Sequence, residues 1–115
     1  MQMKYMIVDD NAGMREMIRD TVYRENDSIL ECSDGTEAVA GYAGFNPDIV
    51  LMDIEMKEMD GFTATENIYK QDPLAKIIFI TSHNTSAFRI KAKKLNAMGF
   101  VPKENLTELY KLLHH

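Results

Sequence analysis

Cysteine is almost missing. Cys32 stands alone in 115 residues, so no disulfide framework can form within the chain, and no CxxC or Cys/His cluster offers a zinc ligand set. Tryptophan is absent, and three prolines and six glycines are too few for a linker-like or low-complexity chain. Basic charge is in deficit. Thirteen Lys and Arg against eighteen Asp and Glu leave a net charge of −5, the wrong sign for a general affinity for nucleic acid, which rests on neutralising phosphates. No run approaches the ~18 apolar residues of a membrane-spanning helix. The segment from Met1 to Val8 is too short for the core of a secretory leader, and Asp9-Asp10 interrupts it. A cytoplasmic protein with no membrane partner is the expectation. A Gly-rich phosphate loop and a GxGxxG pattern are also missing, which argues against nucleotide binding. His83 is the only histidine before the terminal pair His114-His115, which is native or the trace of a tag; no Ser/His/Asp or Cys/His constellation presents itself.

What is present is alternation. The length predicts one domain over residues 1–115, and 45% hydrophobic residues suffice for one core. Short apolar runs at Tyr5–Val8, Ser28–Cys32, Ile49–Met52, Ile77–Ile80 and Gly99–Val101 read as strands. Between them lie segments of helical period. The first carries Met14, Met17, Ile18, Thr21 and Val22 on one side, with Arg15, Glu16, Arg19 and Asp20 on the other. The second opens at Asp34 and Glu37, spaced as a capping box, and carries Ala38, Val39 and Tyr42. The third follows the Asp60-Gly61 turn with Phe62, Thr65, Ile68 and Tyr69, and Pro73 closes it. A fourth spans about Ser86 to Leu95. A fifth opens at a second possible capping box, Asn105 and Glu108, with Leu106, Leu109, Tyr110 and Leu113 on one face. Strands alternating with helices predict an α/β fold, a doubly wound (βα)5 parallel five-stranded sheet in the order 2-1-3-4-5.

In such a sheet ligands bind beyond the carboxyl ends of the strands, where strand order reverses. Asp9-Asp10 leaves the first strand, Asp53 the third, Thr81 the fourth and Lys103 the fifth. Taken singly, each has a structural explanation: an Asp as a helix cap, a Thr as a β-former, a Lys as a solvated charge. Together they are harder to dismiss. Carboxylates about 5 Å apart at an effective dielectric near 20 repel by roughly 3 kcal/mol per pair, a cost that calls for a cation. Hard oxygen ligands favour Mg²⁺, and the EF-hand pattern is absent. A carboxylate beside Mg²⁺, a hydroxyl and an ammonium suggests phosphoryl chemistry with Asp as nucleophile.

Met6-Ile7-Val8-Asp9-Asp10, Asp53-Ile54-Glu55-Met56 followed by Met59-Asp60-Gly61, Thr81-Ser82, and Phe100 three residues before Lys103 together resemble the response regulator receiver domains of two-component signalling. Asp34-Gly35-Thr36-Glu37-Ala38 is similar to that family's second-helix start. The resemblance covers essentially the whole chain and implies a flavodoxin-like, CheY-like fold. It implies Asp53 as the phosphorylated residue, Asp10 as a direct Mg²⁺ ligand, Asp9 as one through water, and a ligand from the Glu55 backbone carbonyl. Lys103 would pair with a phosphoryl oxygen and Thr81 would bond another, letting Phe100 turn inward. The donor would be a histidine kinase or histidine phosphotransfer protein, with acetyl phosphate as a substitute. The domain would assist its own phosphorylation without being an enzyme in the ordinary sense.

Two positions depart from the family pattern. Lys57 stands where Pro is usual after Met56, and Glu104 stands where Pro, in a cis bond, usually follows the Lys. A non-proline cis bond costs about 2.5–4 kcal/mol, so a trans bond and a shifted loop are expected, with Lys103 reaching the site on its long stem. Glu55 and His83 occupy positions that tune phosphoryl lifetime in the family; His83 is as readily explained as a merely exposed residue. The readout face would be the fourth helix, fifth strand and fifth helix, including Phe88, Ile90, Phe100 and Tyr110. Arg89, Lys91, Lys93 and Lys94 make it locally basic. The partner would be a downstream protein, met as a monomer or a phosphorylation-dependent dimer. A stand-alone module is the leading expectation; the alternatives are a fragment of a longer DNA-binding regulator and a phosphorylation-independent docking module.

Overall fold

The computed structural model describes residues 2–114; Met1 and His115, the second member of the terminal histidine pair, lie outside the described residues. The elements run β1 (Lys4–Val8), α1 (Ala12–Val22), β2 (Ser28–Cys32), α2 (Gly35–Phe45), β3 (Ile49–Met52), α3 (Gly61–Gln71), β4 (Ile77–Thr81), α4 (Ser86–Lys94), β5 (Gly99–Pro102) and α5 (Leu106–Leu113). All strand pairs are parallel, and the order is β2-β1-β3-β4-β5. The expected α/β doubly wound topology is the one found.

The sheet separates two layers of core. Met6, Val8, Val50, Met52, Ile77 and Phe79 point to one face, against Ala38 and Tyr42 of α2, Phe62 and Ile68 of α3 and Ala92 of α4. Tyr5, Ile7, Ile49, Leu51, Ile78, Ile80 and Val101 point to the other, against Ile18 and Val22 of α1 and Leu109 of α5. Because both faces are covered, β3 and β4 are buried along their whole length, which is why their sequences read as unbroken apolar runs. Pro102 is tolerated because β5 is an edge strand.

Four helices start on side-chain caps. Asn11 accepts from the Met14 N–H at 2.8 Å, Asp34 from Glu37 at 2.9 Å, Asp60 from Thr63 at 2.8 Å and Thr85 from Phe88 at 3.1 Å. The box at α2 closes on a neighbour: Glu37 accepts from the Ser33 N–H rather than from Asp34. The second expected box does not form. Asn105 makes no side-chain cap bond, and its amide instead lies 3.5 Å from Glu108 Oε2. Two core assignments also shift. Met17 is 56% exposed and Tyr110 45%, whereas Leu112, between the expected positions, packs on the α1/α5 core.

Candidate functional site

The carboxyl ends of β1 and β3 are adjacent, paired in register from Tyr5 and Ile49 to Val8 and Met52. The ladder continues one step, the Asp53 N–H donating to Val8 O at 2.8 Å, so the two acids that follow these strands emerge side by side. One oxygen from each of Asp9, Asp10 and Asp53 falls within 4.8 Å of the others. Asp9 is fully buried and Asp53 nearly so, at 5% exposure, while Asp10 faces solvent. Buried acids are rare unless paired. Lys103 supplies the pairing, with Nζ at 2.9 Å from Asp9 Oδ2 and 3.4 Å from Asp53 Oδ1.

This ammonium offsets one of three negative charges. Burial, then the neighbouring Asp9 carboxylate, raises the Asp53 pKa from 3.8 to about 6; Lys103 and the Ile54 N–H, which donates at 2.9 Å, pull it back only in part. The Lys103 pKa moves up. Burial pulls it down, but the close contact with Asp9 and the two negative charges outweigh that pull. Asp9 Oδ1 accepts from the Asn11 N–H, whereas Asp9 Oδ2, also buried, has the Lys103 charge beside it but no well-aligned donor. An under-satisfied buried carboxylate oxygen within reach of two further carboxylates fits a hard divalent cation. A Mg²⁺ ion takes one or two carboxylates and keeps several waters, and the donor set of three carboxylates here would suit it.

Two features hold the cradle's shape. A Cβ on Gly61 would stand 2.0 Å from the Asp53 carbonyl oxygen, so only glycine lets the start of α3 fold back on the β3 end, where the Gly61 N–H donates to Ile54 O. Arg15 reaches over from α1 to donate to the Asp9 carbonyl at 2.7 Å while its Nε bonds Glu31.

The sequence model for the response regulator receiver domain matches residues 5–114. The chain belongs to the response regulator receiver domain family. It is 42% identical to the chemotaxis protein CheY of Thermotoga maritima over 101 residues, 87% of this chain and 84% of that protein. In structure it is similar to a LuxR-family two-component response regulator from Aurantimonas (TM-score 0.88, 34% identity, covering 96% of this chain and 81% of that one). It is also similar to a chain of the CheX–CheY–BeF3–Mg²⁺ complex from Borrelia burgdorferi (TM-score 0.82, 27% identity, 92% and 84%). As a CheY-type receiver domain it is a signalling module consistent with a two-component phosphoacceptor.

The receiver-domain assignments made from the sequence fall in one place for Asp9, Asp10, Asp53 and Lys103. Thr81 ends β4, 1% exposed, its Oγ1 accepting from the His83 N–H at 3.0 Å. Its carbonyl accepts from the Lys103 N–H at 2.8 Å, so the backbone ties the hydroxyl and ammonium segments together. No cis peptide bond occurs among the described residues, and Lys103 reaches its partners through a turn in which the Asn105 N–H donates to Pro102 O. The Glu55 side chain pairs with His83 Nδ1 at 2.5 Å, both side chains more than half exposed, so His83 has a partner. Lys57 and Glu58 border an open cleft of about 490 Å³ with Asp10, Asn11, Ser33 and Asp34. Phe100 is half-buried with the Arg89 guanidinium carbon 4.7 Å from its ring centre. Gly61 and the Arg15 and Arg89 contacts were not legible in the sequence: Asp60-Gly61 signals a turn there, and the two arginines read as solvated helix faces.

No helix among the described residues is long and apolar enough to cross a membrane.

Proposed function

We propose that Asp53 captures a phosphoryl group from a phosphohistidine on a histidine kinase or histidine phosphotransfer protein in the cytoplasm, and that the captured group switches the α4–β5–α5 face for a downstream protein. The observation that carries this reading is the Lys103 ammonium lodged between two buried carboxylates beside a third, exposed one. Asp9, Asp10, Asp53 and the Glu55 carbonyl would hold Mg²⁺, which when bound supplies charge neutralisation for the transferring phosphoryl oxygens. A carboxylate oxygen of Asp53 attacks phosphorus, the P–N bond to the donor imidazole breaks with its electron pair going to that nitrogen, and the ring, already protonated on its other nitrogen, leaves as neutral imidazole. Lys103 offsets charge on the phosphoryl oxygens and Thr81 donates its hydroxyl to one of them, so catalysis is mostly positioning and electrostatics.

The added group brings up to two negative charges and new acceptor oxygens next to β4 and β5. Thr81 moving toward them draws on the segment leading to α4, and Phe100 turns inward beside it, a population shift driven by contacts that only one arrangement makes. The face so altered exposes Ile90, Met98 and Tyr110, at 55%, 45% and 45%. The Borrelia burgdorferi complex, in which a CheY is seated with CheX, supports protein docking as the output.

Incubation with Mg²⁺ and acetyl phosphate followed by intact-mass measurement tests the assignment. One phosphoryl group is expected on the native chain and none on Asp53→Asn. An adduct that persists in Asp53→Asn, or none with any donor, overturns it.

A further inference from the structure

Arg89 makes two contacts that join the segment after Thr81 to β5. Its guanidinium carbon lies 4.7 Å from the Phe100 ring centre, inside the ~6 Å range of cation–π attraction. Its Nε donates to Asn84 Oδ1 at 2.5 Å. Asn84 sits between His83, whose N–H donates to the Thr81 hydroxyl, and Thr85, which caps α4. Phe100 stands on the neighbouring strand opposite Phe79. A planar fork can stack on a ring and bond an amide oxygen at once; a lysine, with one compact ammonium, cannot hold both geometries. Among the described residues no carboxylate pairs with Arg89, so these two contacts are what orient it. Beneath it lies an apolar hollow of about 260 Å³ bordered by Arg89, Ala92, Lys93, Ala97, Gly99 and Phe100.

We propose that Arg89 is a positioning residue that clamps the β4–α4 connection to the Phe100 ring and so biases the domain toward its resting arrangement. The inference rests on the phosphoacceptor reading. Any movement of Thr81 toward a phosphoryl oxygen pulls on His83 and Asn84, through the chain and through the His83 N–H bond. An inward turn of Phe100 takes the ring from under the guanidinium. The clamp's contacts therefore exist in one arrangement and not the other, the condition for a residue to set a population. Release also frees the guanidinium at the edge of the apolar hollow, within the face proposed for docking.

Binding of beryllofluoride in the presence of Mg²⁺, followed by isothermal titration calorimetry on the full chain, reads the bias. Arg89→Ala is expected to bind beryllofluoride about three- to tenfold more tightly, the loss of one cation–π contact and one charged hydrogen bond, with Mg²⁺ affinity alone unchanged. Arg89→Lys, which keeps the charge but not both contacts, follows Arg89→Ala. In the Arg89→Ala background, Asn84→Ala adds nothing further, because both substitutions remove the same contact. Unchanged or weakened beryllofluoride affinity in Arg89→Ala, with native binding intact, overturns the clamp and leaves the phosphoacceptor reading standing. Native affinity in Arg89→Lys overturns it too, because charge alone then suffices. Failure of the native chain to bind beryllofluoride overturns the phosphoacceptor reading and the clamp with it.

Discussion

Asp53 carries its charge where water hardly reaches, and burial with the Asp9 carboxylate raises its pKa from 3.8 to about 6. The folded chain therefore holds this proton more tightly than the unfolded chain, and between those values the group's contribution to stability falls as pH rises. Asp53→Asn removes the effect. At 1.36 kcal/mol per pKa unit, the variant should be more stable by up to about 3 kcal/mol at neutral pH without divalent ions, the gain vanishing below about pH 4. Urea unfolding at the two pH values checks both sign and size. Lys103 runs the opposite way. Its pKa is raised, so its stabilisation is complete below its ordinary 10.5 and is lost as pH climbs through the higher folded value. Lys103→Met leaves Asp9 Oδ2 buried without its cation and should cost about 2–4 kcal/mol at neutral pH, a gap that narrows in strong alkali; added Mg²⁺ should restore part of it. At this scale the acids and the lysine singled out in the sequence are the ones that meet in the fold. It could not show which acid is sealed in, because burial of Asp9 and exposure of Asp10 depend on which way each side chain leaves the β1 end.

Elements were legible wherever one physical signal dominated. The central strands announced themselves because burial on both faces demands unbroken apolar runs, and two helix starts because Asp34 and Asp60 carry cap and turn signals; the caps at Asn11 and Thr85 emerged only in the fold. Misreadings arose where period alone had to decide. Met17 and Tyr110 share the period of their apolar stripes yet stand exposed in the fold. Asn105 has the residue type of a cap without the geometry. Asp34→Ala should accordingly cost about 1 kcal/mol and Asn105→Ala a few tenths at most, differences that thermal unfolding resolves. Gly61→Ala meets backbone, not a yielding side chain: its Cβ would sit 2.0 Å from the Asp53 carbonyl. A loss of about 2 kcal/mol or more is expected, together with slower capture of phosphoryl groups from acetyl phosphate, measured by intact mass.

For the molecule as a whole, the sheet is a scaffold that gathers residues distant in sequence on one edge. Three acids share that edge with a single ammonium, so folding stores repulsion that a divalent cation would relieve. Mg²⁺ at ten times its dissociation constant should stabilise the chain by about 1.4 kcal/mol, and Asp10→Asn should reduce that gain. Thermal melts across a magnesium series give the result directly; no rise in Tm would contradict the cradle. The basic side chains of α4 stand in contrast to the net charge of −5, so association with an acidic partner at this face should weaken with salt.

The order of strands, the edge where the acids and the lysine gather and the residue types found there were written in the chain, because hydrophobic period and strand-terminal acids are local signals. Tertiary structure alone decided that Lys103 reaches Asp9 and Asp53 without a proline after it, that Glu55 pairs with His83, and that Arg89 rests on Phe100. Each of these joins segments that meet only after the sheet has formed, and a side chain's partner across such a gap is set by packing, which no period in the sequence encodes.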